Sequence, residues 1–200
     1  MGDVAMIVPV LRVLSETYPE VQLTILTRAF FKPFFNDFSN VVFLEADVNH
    51  NHKGFMGVLK LAEEANALGI NAVADLHNVI RSKIITRYLK ILGKKTAALN
   101  KGRKEKKSLT RAKNKYFKQL KTTHQRYADV FGTLGFPIEL TNFTPLPKKE
   151  YNKNILSLVG EKKKSIIGIA PFATYKSKMY PLELIKKVIA DLDKKYQIVL

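Results

Sequence analysis

Apolar and polar positions along this chain switch repeatedly between a helical and a strand period. From Val4 to Tyr18, the residues Ala5, Val8, Leu11 and Leu14 lie close to one helical stripe, so a helix is expected there. Pro9 falls inside it and should kink it or mark an early turn. Val21 to Thr27 and Val41 to Leu44 are short β-rich runs, and the aromatic stretch Phe30 to Phe38 between them reads as helical. Asp47 to Lys53, with two histidines and two asparagines, reads as a polar loop. Gly54 to Leu68 is helical in pattern, with Gly69 as its stop. Ala72 to Leu76 predicts a strand, Val79 to Leu92 a helix, Thr96 to Leu99 a short strand, and Thr123 to Leu134 a helix ending near Gly135.

Phe136 to Lys149 contains Pro137, Pro145 and Pro147 and has the composition of a linker. Beyond it, Ser165 to Ala170 predicts a strand, Pro181 to Lys194 a helix and Tyr196 to Leu200 a strand. Strand–helix alternation on both sides of the linker implies an α/β protein with parallel sheets and helices on both faces. The expected division is residues 1–140 as one domain, and 141–200 as linker and start of a second. Both domains are expected to be incomplete. A helix beginning near residue 4 calls for a preceding strand, and Gln197 to Leu200 has the pattern of a buried parallel strand flanked on both sides. A second domain of this size also buries little core by itself.

Charge adds a second layer. The chain has 34 basic and 17 acidic residues, a net +17, which favours anionic partners: nucleic acid, acidic lipid surfaces or phosphorylated sugars. Lys94 to Arg126 alone holds thirteen basic residues against one acid, Glu105, a net +12. Tyr116 and Phe117 interrupt that stretch and Tyr127 follows it, a superficial fit to RNA binding; a solvated helix face is the commoner meaning of such a run. No RRM, KH or zinc signature accompanies it. The absence of cysteine excludes disulfides, thiolate metal sites and cysteine nucleophiles. No apolar run reaches the roughly 18 residues of a spanning helix, and no signal-peptide pattern opens the chain, so a cytosolic protein is expected.

Three constellations could carry chemistry. Gly2-Asp3-Val4-Ala5 stands at a strand-to-helix turn of the kind that edges a ligand cleft in open α/β sheets. Asp3 could be the helix N-cap, a general base in that cleft, or both. Ala170 to Lys178 lies between a strand and a helix, with Pro181 near the helix start. Thr174, Lys176, Ser177 and Lys178 offer two point charges and two hydroxyl donors, which suits a pyrophosphate, or simply a solvated loop. Asp75, His77, Asn78 and Arg81 stand at another strand end. Strand alternation puts Asp75 and His77 on one face, although a metal site normally needs three or four ligands; Arg81 is the better anion contact. His50 and His52 read as solvated. No Walker, GxGxxG or GxSxG motif is present.

The run Gly2 to Leu14 resembles the opening of family 9 glycosyltransferases, the ADP-heptose:lipopolysaccharide heptosyltransferases. Tyr18-Pro19 and the strand at Leu23 to Leu26 continue the likeness, as do Asp75-Leu76-His77-Asn78 with Arg81-Ser82, and Ile167 to Pro171 through Lys178 to Leu182. The resemblance implies a GT-B architecture of two Rossmann-like domains and inverting transfer of heptose from ADP-heptose to the lipopolysaccharide inner core, without a cofactor or an essential metal. It implies Asp3 as general base and Lys178 as a donor diphosphate contact, with Thr174, Lys176 and Ser177 as neighbours. Gly2 and Arg81 are implied on the acceptor side. The acceptor is acidic and lies at an anionic membrane, which gives the basic stretch a physical reason and implies peripheral contact with the cytosolic face of the inner membrane. A strand before Gly2, and the family's C-terminal acid-Thr-Gly and His motifs, are not among these 200 residues, so the fragment itself is expected to lack activity. The alternative is a basic nucleic-acid-binding α/β protein. The resemblance implies no specific nucleic-acid partner.

Overall fold

The computed structural model describes residues 1–142, 153–160 and 164–200. The chain divides into two compact units, Met1–Pro145 and Leu146–Leu200. The expected proline linker lies outside the described residues from position 143 onward.

Unit 1 opens with helix α1, Gly2–Thr17. It continues through Pro9, where the helix forgoes the single bond that an N–H at that position would make to Ala5. Strands β1 (Leu23–Thr27) and β2 (Val41–Glu45) pair in parallel, with Leu23 opposite Val41. The aromatic stretch between them forms a 3₁₀ helix, Ala29–Phe35, tighter and shorter than the helix expected over 30–38. Helix α2 (Gly54–Ala67) leads to β3 (Ala72–Asp75), then α3 (Ile80–Ile91) and β4 (Lys95–Ala98). β3 and β4 are also parallel, Ala72 opposite Lys95. Two helices close the unit: α4 (Arg103–Thr110), which no apolar periodicity announces, and α5 (Thr123–Leu134). The Thr122 hydroxyl accepts the Gln125 N–H at 3.1 Å to start α5. Gly135, at φ +101°, ends it in the left-handed conformation that a side chain resists.

The period-2 pattern of the strands sorts their side chains to two faces. Leu23, Ile25, Val41, Phe43, Ala72 and Ala74 pack toward a core built by α1 and α5 around Leu11, Leu14, Tyr127 and Phe131. Leu26, Leu44 and Val73 pack toward a second core of α2 and α3 around Leu61 and Leu89. Helices therefore cover both faces of the parallel strands, as the alternation predicts.

In unit 2, helix α6 (Lys153–Val159), unannounced in the pattern, precedes β5 (Ile166–Gly168). A loop with one 3₁₀ turn (Lys176–Lys178), helix α7 (Leu182–Asp193) and β6 (Gln197–Val199) follow. β5 and β6 are parallel, Ile166 opposite Gln197. Among the described residues, no helix is long and apolar enough to cross a membrane.

Candidate functional site

The first turn of α1 holds Gly2 and Asp3, both exposed. The N-cap is Met1, whose carbonyl accepts the N–H groups of Val4 and Ala5 at 3.1 Å each. Asp3 is therefore inside the helix, which corrects the reading of it as the cap. Its carboxylate stands in the turn where the helix dipole favours negative charge. Beneath it the buried Tyr127 hydroxyl donates to the Asp3 carbonyl at 3.5 Å. Burial first, and the charge of Asp3 second, push the Tyr127 phenol above its ordinary pKa.

The adjoining strand end is built around Asp75, buried at the last position of β3. Its Oδ1 accepts the N–H groups of His77 at 3.1 Å and Asn78 at 2.7 Å. Its Oδ2 lies 2.9 Å from the Ser82 hydroxyl, which accepts the Val79 N–H at 3.0 Å. The carboxylate thus organises the turn into α3. Because β3 ends at Asp75, strand alternation does not carry on to His77, which is exposed; the two do not share a ligand face. Among the described residues, no group of three or more His, Cys, Asp or Glu side chains could hold a metal ion. Asn78, at φ +47°, donates its amide to the Leu99 carbonyl at 2.7 Å. Arg81 is exposed in the first turn of α3, with no polar partner among the described residues.

Arg126, counted in the sequence with the solvated basic run, is buried. Its guanidinium donates to the carbonyls of Asn100 and Lys121 at 3.2 Å each and to Glu105 Oε2 at 2.5 Å. Gly102 (φ +61°) lies against it so closely that a Cβ there would collide with the guanidinium. Tyr127 likewise belongs to the core and not to a nucleic-acid face. Consecutive residues of α5 thus hold the start of α1 and the root of the basic segment. Met1 to Asp3, Asn78, Leu99 to Gly102 and Glu105 gather at one end of unit 1. Periodicity missed this arrangement; the signal available was an arginine beside the apolar stripe of α5.

His52 is a second correction. It is buried, accepting the Asp47 N–H on Nδ1 at 3.0 Å, with Nε2 3.1 Å from Glu64 Oε2. α2 approaches at Gly57, where any Cβ would strike the His52 backbone. His50 is exposed, as expected. The Asn51 N–H is the main cause holding the Asp47 carboxyl below its usual range.

In unit 2, Thr174, Lys176, Ser177 and Lys178 are all exposed on the loop between β5 and α7. The Lys178 N–H donates to the Tyr175 carbonyl at 2.9 Å, closing the 3₁₀ turn, and its ammonium lies 5.5 Å from the Tyr175 ring centroid. Pro181 caps α7 one position before the helix, and its carbonyl accepts from Leu184 and Ile185. One short turn therefore presents two ammonium groups and a hydroxyl to solvent, a set that can meet a diphosphate.

No protein-family model matches the chain, and no curated protein matches it in sequence. Among solved structures, it is similar to the glycosyl transferase family 9 protein from Veillonella parvula DSM 2008. The TM-score is 0.65 at 17% identity, over 100% of this chain and 66% of that one. The expected fold class, α/β with parallel strands of the GT-B type, is therefore the one found.

Proposed function

We propose that this chain is part of an inverting glycosyltransferase that moves a sugar from a nucleotide donor to a hydroxyl of an acidic glycan. The observation that carries this reading is the fold likeness to a family 9 glycosyl transferase along the entire chain. Asp3 on the exposed first turn of α1 supports it, as a carboxylate open to an incoming acceptor hydroxyl. In this reading unit 1 is the acceptor side and unit 2 belongs to the donor side.

Asp3 takes the proton from the acceptor hydroxyl as its oxygen attacks the anomeric carbon and the bond to the diphosphate breaks. Lys176 and Lys178, with Thr174 and Ser177 donating, offset the charge that develops on the departing diphosphate; no metal or other cofactor is called for. Arg81 and the Gly2 backbone face the acceptor. The finer assignment follows the sequence resemblance: ADP-heptose as donor, the lipopolysaccharide inner core as acceptor, and action at the cytosolic side of the inner membrane.

The test is nucleoside-diphosphate release from ADP-heptose with a lipid A–core acceptor, in a protein that includes these residues. Asp3→Ala should lower turnover by about 10²–10⁴-fold, the usual contribution of a general base. Near-normal turnover would remove Asp3 from the reaction. Lys178→Ala should weaken ADP binding measured by calorimetry, and unchanged binding would dismiss the diphosphate assignment.

A further inference from the structure

Unit 1 holds two parallel pairs, β1–β2 and β3–β4, with no ladder between the pairs. Both lie between the same helix layers, α1 with α5 and α2 with α3. Handedness sets their order. The connection from β1 to β2 passes through the aromatic 3₁₀ helix, whose Phe31, Phe34 and Phe35 pack on the side of α1 and α5. The connections from β2 to β3 and from β3 to β4 pass through α2 and α3 on the opposite side. Crossovers between parallel strands are right-handed, so those on opposite sides step in opposite directions. One order satisfies all three: β2, β1, β3, β4. Exposure agrees with it. Val42 and Glu45 of β2, and Lys95 and Ala98 of β4, are exposed, as on outer strands, and no residue of β1 or β3 is. β1 and β3 are thus inner strands that do not pair with each other.

Their facing edges are open. The Leu23 N–H donates to the Asn40 carbonyl at 2.9 Å and the Ala46 N–H to the Thr27 carbonyl at 2.8 Å. Leu23, Ile25 and Thr27 therefore turn their backbone groups to β2, and the alternate residues Thr24 and Leu26 turn theirs the other way. On β3, the Lys95 N–H donates to the Asn71 carbonyl at 3.2 Å and the Leu99 N–H to the Asp75 carbonyl at 2.8 Å. Asn71, Val73 and Asp75 are thus committed to β4, and Ala72 and Ala74 point toward β1. The Ala74 carbonyl accepts the Leu76 N–H at 3.1 Å; the other backbone groups of these four residues have no partner among the described residues. No residue of β1 is buried, although helices cover both faces of the strand, as an open edge requires.

We infer that the gap between β1 and β3 is a binding site for an extended apolar peptide, which pairs in parallel with both strands. An extended peptide turns its N–H and C=O groups alternately to its two sides, and so matches both edges at once. Its side chains must be apolar on both faces. Leu23, Ile25, Ala72 and Ala74 meet one helix layer, and Leu26 and Val73 the other, so a charge brought in would be buried without a partner. The inner strands carry one charge, Asp75, and it is spent on the turn into α3. Both helix layers stand without the peptide, so it can come from a separate chain. The site rests on no reading of the sugar-transfer reaction.

The experiment titrates the 200-residue chain into a fluorescent synthetic peptide of five alternating valines and isoleucines, the length of β1, between pairs of lysines. The lysines keep it soluble and give it no charge attraction to a chain of net +17. Anisotropy should show saturable one-to-one binding. Hydrogen exchange should show new protection at the Thr24, Leu26, Ala72 and Ala74 amides. Backbone N-methylation of the peptide then reads the site. Between two strands each peptide amide is bonded, one to β1 and the next to β3. Methylating either of two adjacent central amides should therefore weaken binding by about tenfold or more. On an outer edge only alternate amides are bonded, and one of the two methyl groups would be harmless. Thr24→Pro, which removes an N–H that β2 does not use, should weaken binding by a similar factor. Circular dichroism checks its fold, and the methylated peptides carry the test by themselves if it does not fold. Four results would overturn the inference. They are no saturable binding, undiminished binding of both methylated peptides, and loss from only one of them with protection at the outward Phe43 or Thr96 amides. The fourth is a dimer of the chain in which the four inner amides are protected before peptide is added, which would make a second copy the occupant.

Discussion

Unit 1 and unit 2 use the same local grammar, a strand, a helix and a parallel strand, with different consequences. In unit 1 the strands have helices against both faces, and side chains such as Leu61 and Tyr127 are almost wholly out of water. In unit 2, β5 and β6 pair and α7 forms, yet no described residue is buried, and Leu184 and Val188 on α7 are each 42% exposed. Helix formation and parallel pairing follow from short stretches of sequence. Burial is collective and needs facing layers. The candidate site residues differ in the same way. Asp3 rests on a core tyrosine, whereas Lys176 and Lys178 stand on an exposed turn braced by one aromatic ring.

The contrast can be tested most severely with one truncation on each side. Leu61→Ala should destabilise unit 1 by about 2–5 kcal/mol, as large-to-small changes at buried sites do. Leu184→Ala, half exposed to begin with, should cost well under about 1 kcal/mol. Urea unfolding measures both, and similar costs would mean that α7 is covered in solution by something further. A smaller effect is expected from Arg126→Met, which leaves the Asn100 and Lys121 carbonyls without their donor. The cost should be about 1–3 kcal/mol, with faster tryptic cleavage between Lys101 and Lys121. An unchanged cleavage rate would show that apolar packing alone holds this end of unit 1.

The smallest effect concerns pH. Tyr127 has its phenol pKa raised above 10.0 in the folded chain, chiefly by burial and then by the charge of Asp3. Above the unfolded pKa, the unfolded chain has lost that proton while the folded one retains it. Stability therefore falls as pH rises through this window, and is fully present below it. Tyr127→Phe should flatten that alkaline decline, followed by denaturant titration at several pH values. An identical decline would assign it to other groups.

The strands of unit 1 were legible because β-rich runs alternate with helical stripes, and each face of each strand meets a different helix layer. α4 was not legible. It has no apolar stripe, and the contact at its root comes from Arg126, far along the chain. Asp75 misled for the opposite reason: its partners are so local that they end the strand, and the alternation that would have aligned it with His77 ends with it. His52 looked solvated because its surroundings in sequence are polar, while the residue that makes room for it, Gly57, leaves no pattern. Asp3 was legible as an acid at a helix start. The role of base proposed for it comes from resemblance and not from any period in the sequence.

The pairing of Gly102 with Arg126 has an evolutionary and engineering meaning. A side chain at position 102 would meet a left-handed backbone (φ +61°) and the Arg126 guanidinium, which is itself committed at the root, so these two positions are tightly constrained. Almost everything between Arg103 and Lys118 faces solvent. Such a stretch behaves as a cassette. Its length and composition can be rewritten under weak constraint, by a lineage or a designer, without disturbing the carboxylate on the first turn of α1.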